Sequence, residues 1–376
     1  MLTAPHSWAI FVGLMKWRVF GETHRPSSDD LASCNKASLE FLINRHRLGL
    51  AFASLLGTRY SSLYEVCRFL TLQKTLVDIF RAFDEDNIFA VCLKGVALNQ
   101  LLYGKECLRQ SRDIDLWVAP DMVIRAHECL VRMGFALDSL DPALLTSSKA
   151  SSYLKHFEYV NVLNTIRVEL HQRLSFVSEI PFPTPERCHF TTVLDTSIPT
   201  LDLESYFVYL CQHAASHHWI RLQWLVDLAV FYNKLRPNWA EVARVSYKTD
   251  STRAVIETRF LLHSFFGIDL PPIRASFSDR FCTWIRLHSF KNRWYIDIPH
   301  WRVILLNSLL YSTFRHKCHL IMGYILNSRY GRLEMLKTPN SPIWCTMMTL
   351  FAFFTQRVRI GSKATTPPID WIGYRD

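Results

Sequence analysis

Two aspartates one residue apart, Asp113 and Asp115, interrupt the apolar stretch RDIDLWV at residues 112–118. Successive side chains of a strand take opposite faces, so both carboxylates share one face while Ile114 and Leu116 take the other. Two acids that close each resist ionisation unless a cation sits between them. Magnesium fits that need, because it takes oxygen ligands, commonly one or two carboxylates together with substrate phosphates. A third acid lies downstream in RVELHQ, residues 167–172, where Arg167, Glu169 and His171 share a face and Val168 and Leu170 share the other. A strand there lying beside 113–118 would let Glu169 complete a three-acid cluster, able to hold paired ions across a phosphoryl transfer.

The elements that must position these groups are legible in the pattern. Residues 28–86 carry apolar residues at three- and four-residue spacing and are expected to be helical. The run IFAVCLKG at 88–95 ends in glycine and is expected to be a buried strand, followed by a helix, VALNQLLYG, that stops near Gly104. After the Asp-x-Asp strand, Ala119-Pro120-Asp121 opens a helix closed by Gly134, and HFEYVNVL with TIRVELHQRL, flanking Asn164, form an expected antiparallel hairpin. From residue 201 the pattern is helical again. Its longest segment, LDLESYFVYLCQHAASHHWIRLQWLVDLAVFYNKL, is expected to be one helix with His213, His217, Arg221 and Trp224 on one face. His218 is expected to face water, and Asp227 to pair with Arg221. The division is a helical region at 1–86, a core at 87–180, and a helical region with a basic tail at 181–376.

Composition bounds the rest. At 376 residues with 49% apolar and 20% charged residues, this is a folded chain of more than one domain's length. The net charge of +10 is uneven: residues 301–376 hold ten Lys and Arg against three acids. That surplus suits an anionic partner, and peripheral contact with a membrane surface through this region is one form it could take. No recognisable DNA-reading motif accompanies it, so double-stranded DNA is not expected. Ten scattered cysteines without a C-x-x-C pair fit a reducing, cytoplasmic chain. The apolar run at 343–354 falls short of the ~18 residues a spanning helix needs.

The stretches LKGVALNQLLY, LRQSRDIDLWV, VELHQRL and HAASHHWIRLQWLVDLA together resemble a bacterial nucleotidyltransferase family within the DNA polymerase beta-type superfamily. The resemblance covers roughly residues 75–235. It implies an α+β fold with a nucleotidyltransferase-like mixed sheet flanked by N- and C-terminal helical regions. It further implies a nucleoside triphosphate as donor, Mg2+ or Mn2+ as cofactor, and an acceptor that it does not name. On this resemblance Asp113, Asp115 and Glu169 would be the catalytic metal ligands. Lys94, Gly95, Arg109 and Arg112 would meet the phosphates. His171 would support the metal site or carry a proton, and His213, His217, Arg221 and Trp224 would wall an acceptor or base pocket. The alternative of another class is a non-catalytic interaction protein that keeps the fold and acts at a membrane or assembly surface.

Overall fold

The structure is a computed structural model that describes residues 5–326, apart from 57–62, 139–141, 147–153, 162, 164, 176, 178–179 and 290–299. The stretch 343–354 and most of the basic tail, from 327 onward, therefore lie outside the described residues, as does Asn164.

The fold is α+β and its centre is a mixed five-stranded sheet in the order β1-β2-β5-β4-β3. The strands are β1 (Ala90–Cys92), β2 (Asp113–Val118), β3 (Phe135–Leu137), β4 (His156–Asn161) and β5 (Arg167–His171). All neighbours run antiparallel except β2 and β5, which are parallel with Asp115 opposite Glu169. Strict alternation gives the sheet two unlike faces. Ile114, Leu116, Phe157, Tyr159, Val168 and Leu170 are buried on one face, in a core shared with the helices behind it. The other face carries Asp113, Asp115, His156, Glu158, Glu169 and His171.

Helices α1 (Pro5–Phe20), α2 (Ser28–Ser33), α3 (Lys36–Arg45) and α4 (Gly49–Leu56) precede α5 (Leu63–Glu85), and α6 (Val96–Tyr103) and α7 (Val123–Arg132) lie between strands. The long α5 packs its buried face, including Leu72, Leu76, Ile79 and Phe83, into the apolar core behind the sheet, with α7. A second core joins α1, α3 and α4 to helices from the other end of the chain: α8 (Leu203–Ser216), α9 (Gln223–Leu235), α10 (Trp239–Lys248) and α11 (Thr252–Phe266). Beyond them follow α12 (Phe277–His288), α13 (His300–Ser308) and α14 (Phe314–Leu326). Val91, Leu93 and Trp117 also belong to this second core, so the acidic face of the sheet looks toward the helical layer.

Two expectations are corrected. The region after 181 is not wholly helical, because β6 (His189–Val193) and β7 (Thr196–Thr200) form a hairpin beside β1. The segment expected as one long helix is two, α8 and α9, separated by a turn at 217–222. Trp219, fully buried, pulls the chain out of helix there: His218 and Trp219 adopt φ of 55° and 56°, and Trp219 N–H closes the end of α8 on Ala214 O at 3.0 Å. Among the described residues, no helix is long and apolar enough to cross a membrane.

Candidate active site

The turn after β1 brings the first cation to the acids. Gly95 caps α6 with φ 68° and ψ −128°, a conformation open to glycine alone. A Cβ there would meet Asp113 O at 3.3 Å. The bare backbone thus lets the α6 N-terminus rest against the start of β2, and Lys94, one residue earlier, reaches Asp115: Nζ lies 3.0 Å from Oδ1.

Asp115 is completely buried. Its Oδ1 also lies 3.3 Å from His171 Nε2, which is in turn 3.2 Å from Glu169 Oε2. Among the described residues, its Oδ2 is buried with no hydrogen-bond partner. Asp113, at the start of the strand, is half-buried. Burial and the neighbouring Asp115 raise its carboxyl to about 6, against the pull of Lys94. Glu169 goes the other way. Burial pushes it up, but His156, His171 and Lys94 together hold it well below the usual carboxylate range. Lys94, despite burial, is held well above its ordinary value by Asp115, Asp113 and Glu169. Burial lowers His171 too, yet its bonds to Asp115 and Glu169 raise it overall.

Among the described residues, the tight group of three metal-capable donors is His156, Glu169 and His171, whose ligand atoms lie within 4.8 Å of one another. Neither Asp113 nor Asp115 is part of that group. His156 sits opposite His171 across the β4–β5 pair, and Glu158 opposite Glu169, so the acid row runs Asp115, Glu169, Glu158 across three strands. Outside that group the face adds the carboxylates of Asp113, Asp115 and Glu158, oxygens that suit a divalent cation, and among the described residues Asp115 Oδ2 is buried without a partner.

The remaining expected residues divide into two kinds. His213, His217 and Trp224 come together although the helix between them is broken, with ring centroids 4.6 to 5.5 Å apart. Burial holds His217 down to about 3 and His213 well below its usual range, with Lys94 and Lys155 adding to both, so this wall is neutral. Arg109, by contrast, is buried and its Nε donates to Asp227 Oδ2 at 2.9 Å, with Nη1 donating to Ser111 Oγ. Asp227 therefore pairs with Arg109 and not with Arg221, and it also accepts from Tyr103 Oη at 2.8 Å. Arg221 donates to Arg45 O. Arg112 is exposed, and its carbonyl accepts from Arg68 Nη2 at 2.8 Å. His218 is buried, not turned to water.

Three residues without a signal of their own help build the site. Asn99, fully buried on α6, accepts from Leu108 and Arg109 N–H and donates to Glu106 O, fixing the loop that leads into β2. His156 and Lys155 stand at the start of β4. Burial lowers Lys155, against the attraction of Glu169.

A family model described as uncharacterised nucleotidyltransferase matches residues 59–267, more than half of the chain. The chain belongs to that nucleotidyltransferase family. Asp113, Asp115, Glu169 and the histidine wall all lie within the matched stretch. No curated protein matches. Among solved structures, that of the antibiotic-resistance factor ANT(2'')-Ia aligns over 52% of this chain and 99% of its own length, at 13% identity and a TM-score of 0.37.

Proposed function

We propose that the chain transfers a nucleotidyl group from a nucleoside triphosphate to an acceptor, with Mg2+ or Mn2+ held by Asp113, Asp115 and Glu169. The parallel β2–β5 register, which puts Glu169 beside an Asp115 whose Oδ2 is buried and unpartnered, is the observation that carries it. When bound, a divalent ion supplies charge neutralisation and polarisation of the phosphoryl group undergoing attack. The protein's own share is mostly positioning and charge. Lys94 brings a positive charge to the phosphates, and the bare Gly95 turn lets that charge sit against the start of β2. Glu169, held ionised, suits holding and orienting better than accepting a proton, which calls for a group poised near the working pH. His171 keeps Asp115 and Glu169 together from between them. The neutral wall of His213, His217 and Trp224 offers flat rings to a base or an aromatic acceptor.

The test is release of pyrophosphate from each labelled triphosphate in the presence of Mg2+ or Mn2+ and candidate acceptors. The double variant Asp113→Asn with Asp115→Asn should lower the rate by about 1,000-fold or more. A wild-type chain that neither binds triphosphate nor releases pyrophosphate, or a double variant with full biological activity, would instead make this a binding module.

A further inference from the structure

A donor cluster of different chemistry lies on the sheet beside the aspartate pair. His156 opens β4 and His171 closes β5, and the antiparallel register sets them opposite each other, with ring centroids 4.9 Å apart. Glu169 stands two residues before His171 on the same face, its Oε2 3.2 Å from His171 Nε2. One donor atom from each of the three falls within 4.8 Å of the other two.

What these groups leave unused points to a ligand. Among the described residues, Nδ1 of His156 and Nδ1 of His171 are both buried with no hydrogen-bond partner. His171 as a whole is more than nine-tenths buried. A buried imidazole kept for structure alone normally has its polar atoms bonded, so two facing rings that each hold back a nitrogen are out of the ordinary. Two imidazoles and one carboxylate are the donor set of a borderline divalent ion: imidazole suits zinc and its neighbours in the first transition row, whereas magnesium takes oxygen. The separation of His171 Nε2 from Glu169 Oε2 already matches two neighbouring ligands of one ion, which stand about 3.0–3.4 Å apart when each bond to the metal is about 2.1 Å. His156 and Glu169 are only partly buried, which leaves an ion a way in from solvent. Three protein donors are also what zinc takes where it keeps a further position open for water or a substrate oxygen.

We propose that His156, Glu169 and His171 form a second cation site, one for a borderline divalent ion of the zinc type, beside the oxygen-lined position at Asp113 and Asp115. Glu169 is common to both, with Oε2 on the histidine side. The second site stands whether or not the nucleotidyl transfer proposed above does.

Calorimetry of the full-length, chelator-treated protein with Zn2+ tests it. The wild type should bind Zn2+ saturably in the presence of a roughly 100-fold excess of Mg2+. His156→Gln should keep the melting temperature of the metal-free wild type and lose Zn2+ affinity roughly ten-fold or more. A wild type that takes up no Zn2+ over Mg2+, or a His156→Gln variant that binds Zn2+ as tightly as the wild type, overturns the proposal. Either result leaves the nucleotidyltransferase function standing, since Asp113 and Asp115 are untouched. Should His156→Gln melt early, His156→Cys decides, because it keeps a metal donor at the position. With Co2+ it should show a thiolate-to-metal charge-transfer band absent from the wild type, and a spectrum without that band overturns the site.

Discussion

Two fully buried carboxylates, Glu257 in the helical layer and Asp115 on the sheet, meet opposite treatment. Glu257 accepts from Arg286 at both oxygens and from Trp219 Nε1 at 3.2 Å. Arg286 donates also to Ala215 O and Leu306 O, so both oxygens of the acid and most hydrogens of the arginine are bonded. Asp115 instead has Lys94 and His171 at one oxygen, no hydrogen-bond partner among the described residues at the other, and two further acids close by. Nearly all buried polar atoms in proteins are paired. The first arrangement holds helices together, while the second leaves a carboxylate oxygen open on the sheet face, where the proposed cation would use it.

The largest expected effect falls on the pair of Glu257 and Arg286. Glu257→Gln strands a buried arginine and should cost about 3–5 kcal/mol in urea denaturation, with Mn2+ affinity of the folded protein unchanged. A loss below 1 kcal/mol would erase the contrast between the two carboxylates. A smaller effect is expected on the sheet face from acid. Asp113 protonates near 6, so Mn2+ affinity should fall about ten-fold from pH 7 to pH 5, as titration calorimetry would show. A flat profile would remove Asp113 from the ion's ligands. The smallest effect has the opposite sign. Because the Asp113 carboxyl is raised, its contribution to stability is full below about 3.8 and is lost as pH rises through about 6. Asp113→Asn should therefore stabilise the metal-free protein at pH 7.5 by about 1 kcal/mol, seen as a higher melting temperature.

The sheet was legible because it obeys a period of two. In both RDIDLWV and RVELHQ, apolar and charged residues alternate, which fixes the charged face whatever the strand order turns out to be. The break between α8 and α9 was not legible. Chain reversals after a helix usually announce themselves with glycine, yet α3 and α8 both reverse through Arg47 and His218 in left-handed conformations. What stabilises those turns is distant in sequence: Leu222 bonds His46, and Trp219 inserts against Glu257. The same distance hid the partner of Arg109, since Asp227 lies 118 residues away. The β6–β7 hairpin turns at Leu194 with φ 54°, a residue no turn rule favours.

The parallel pairing of β2 with β5 has a consequence for how the protein comes into being. The stretch 119–166, with α7, β3 and β4, separates the two strands in sequence, so that long a loop must close before Glu169 can stand beside Asp115. Such long loops close slowly. On the ribosome a nascent chain stalled before residue 171 therefore holds no assembled cation cradle, however well its earlier helices have formed.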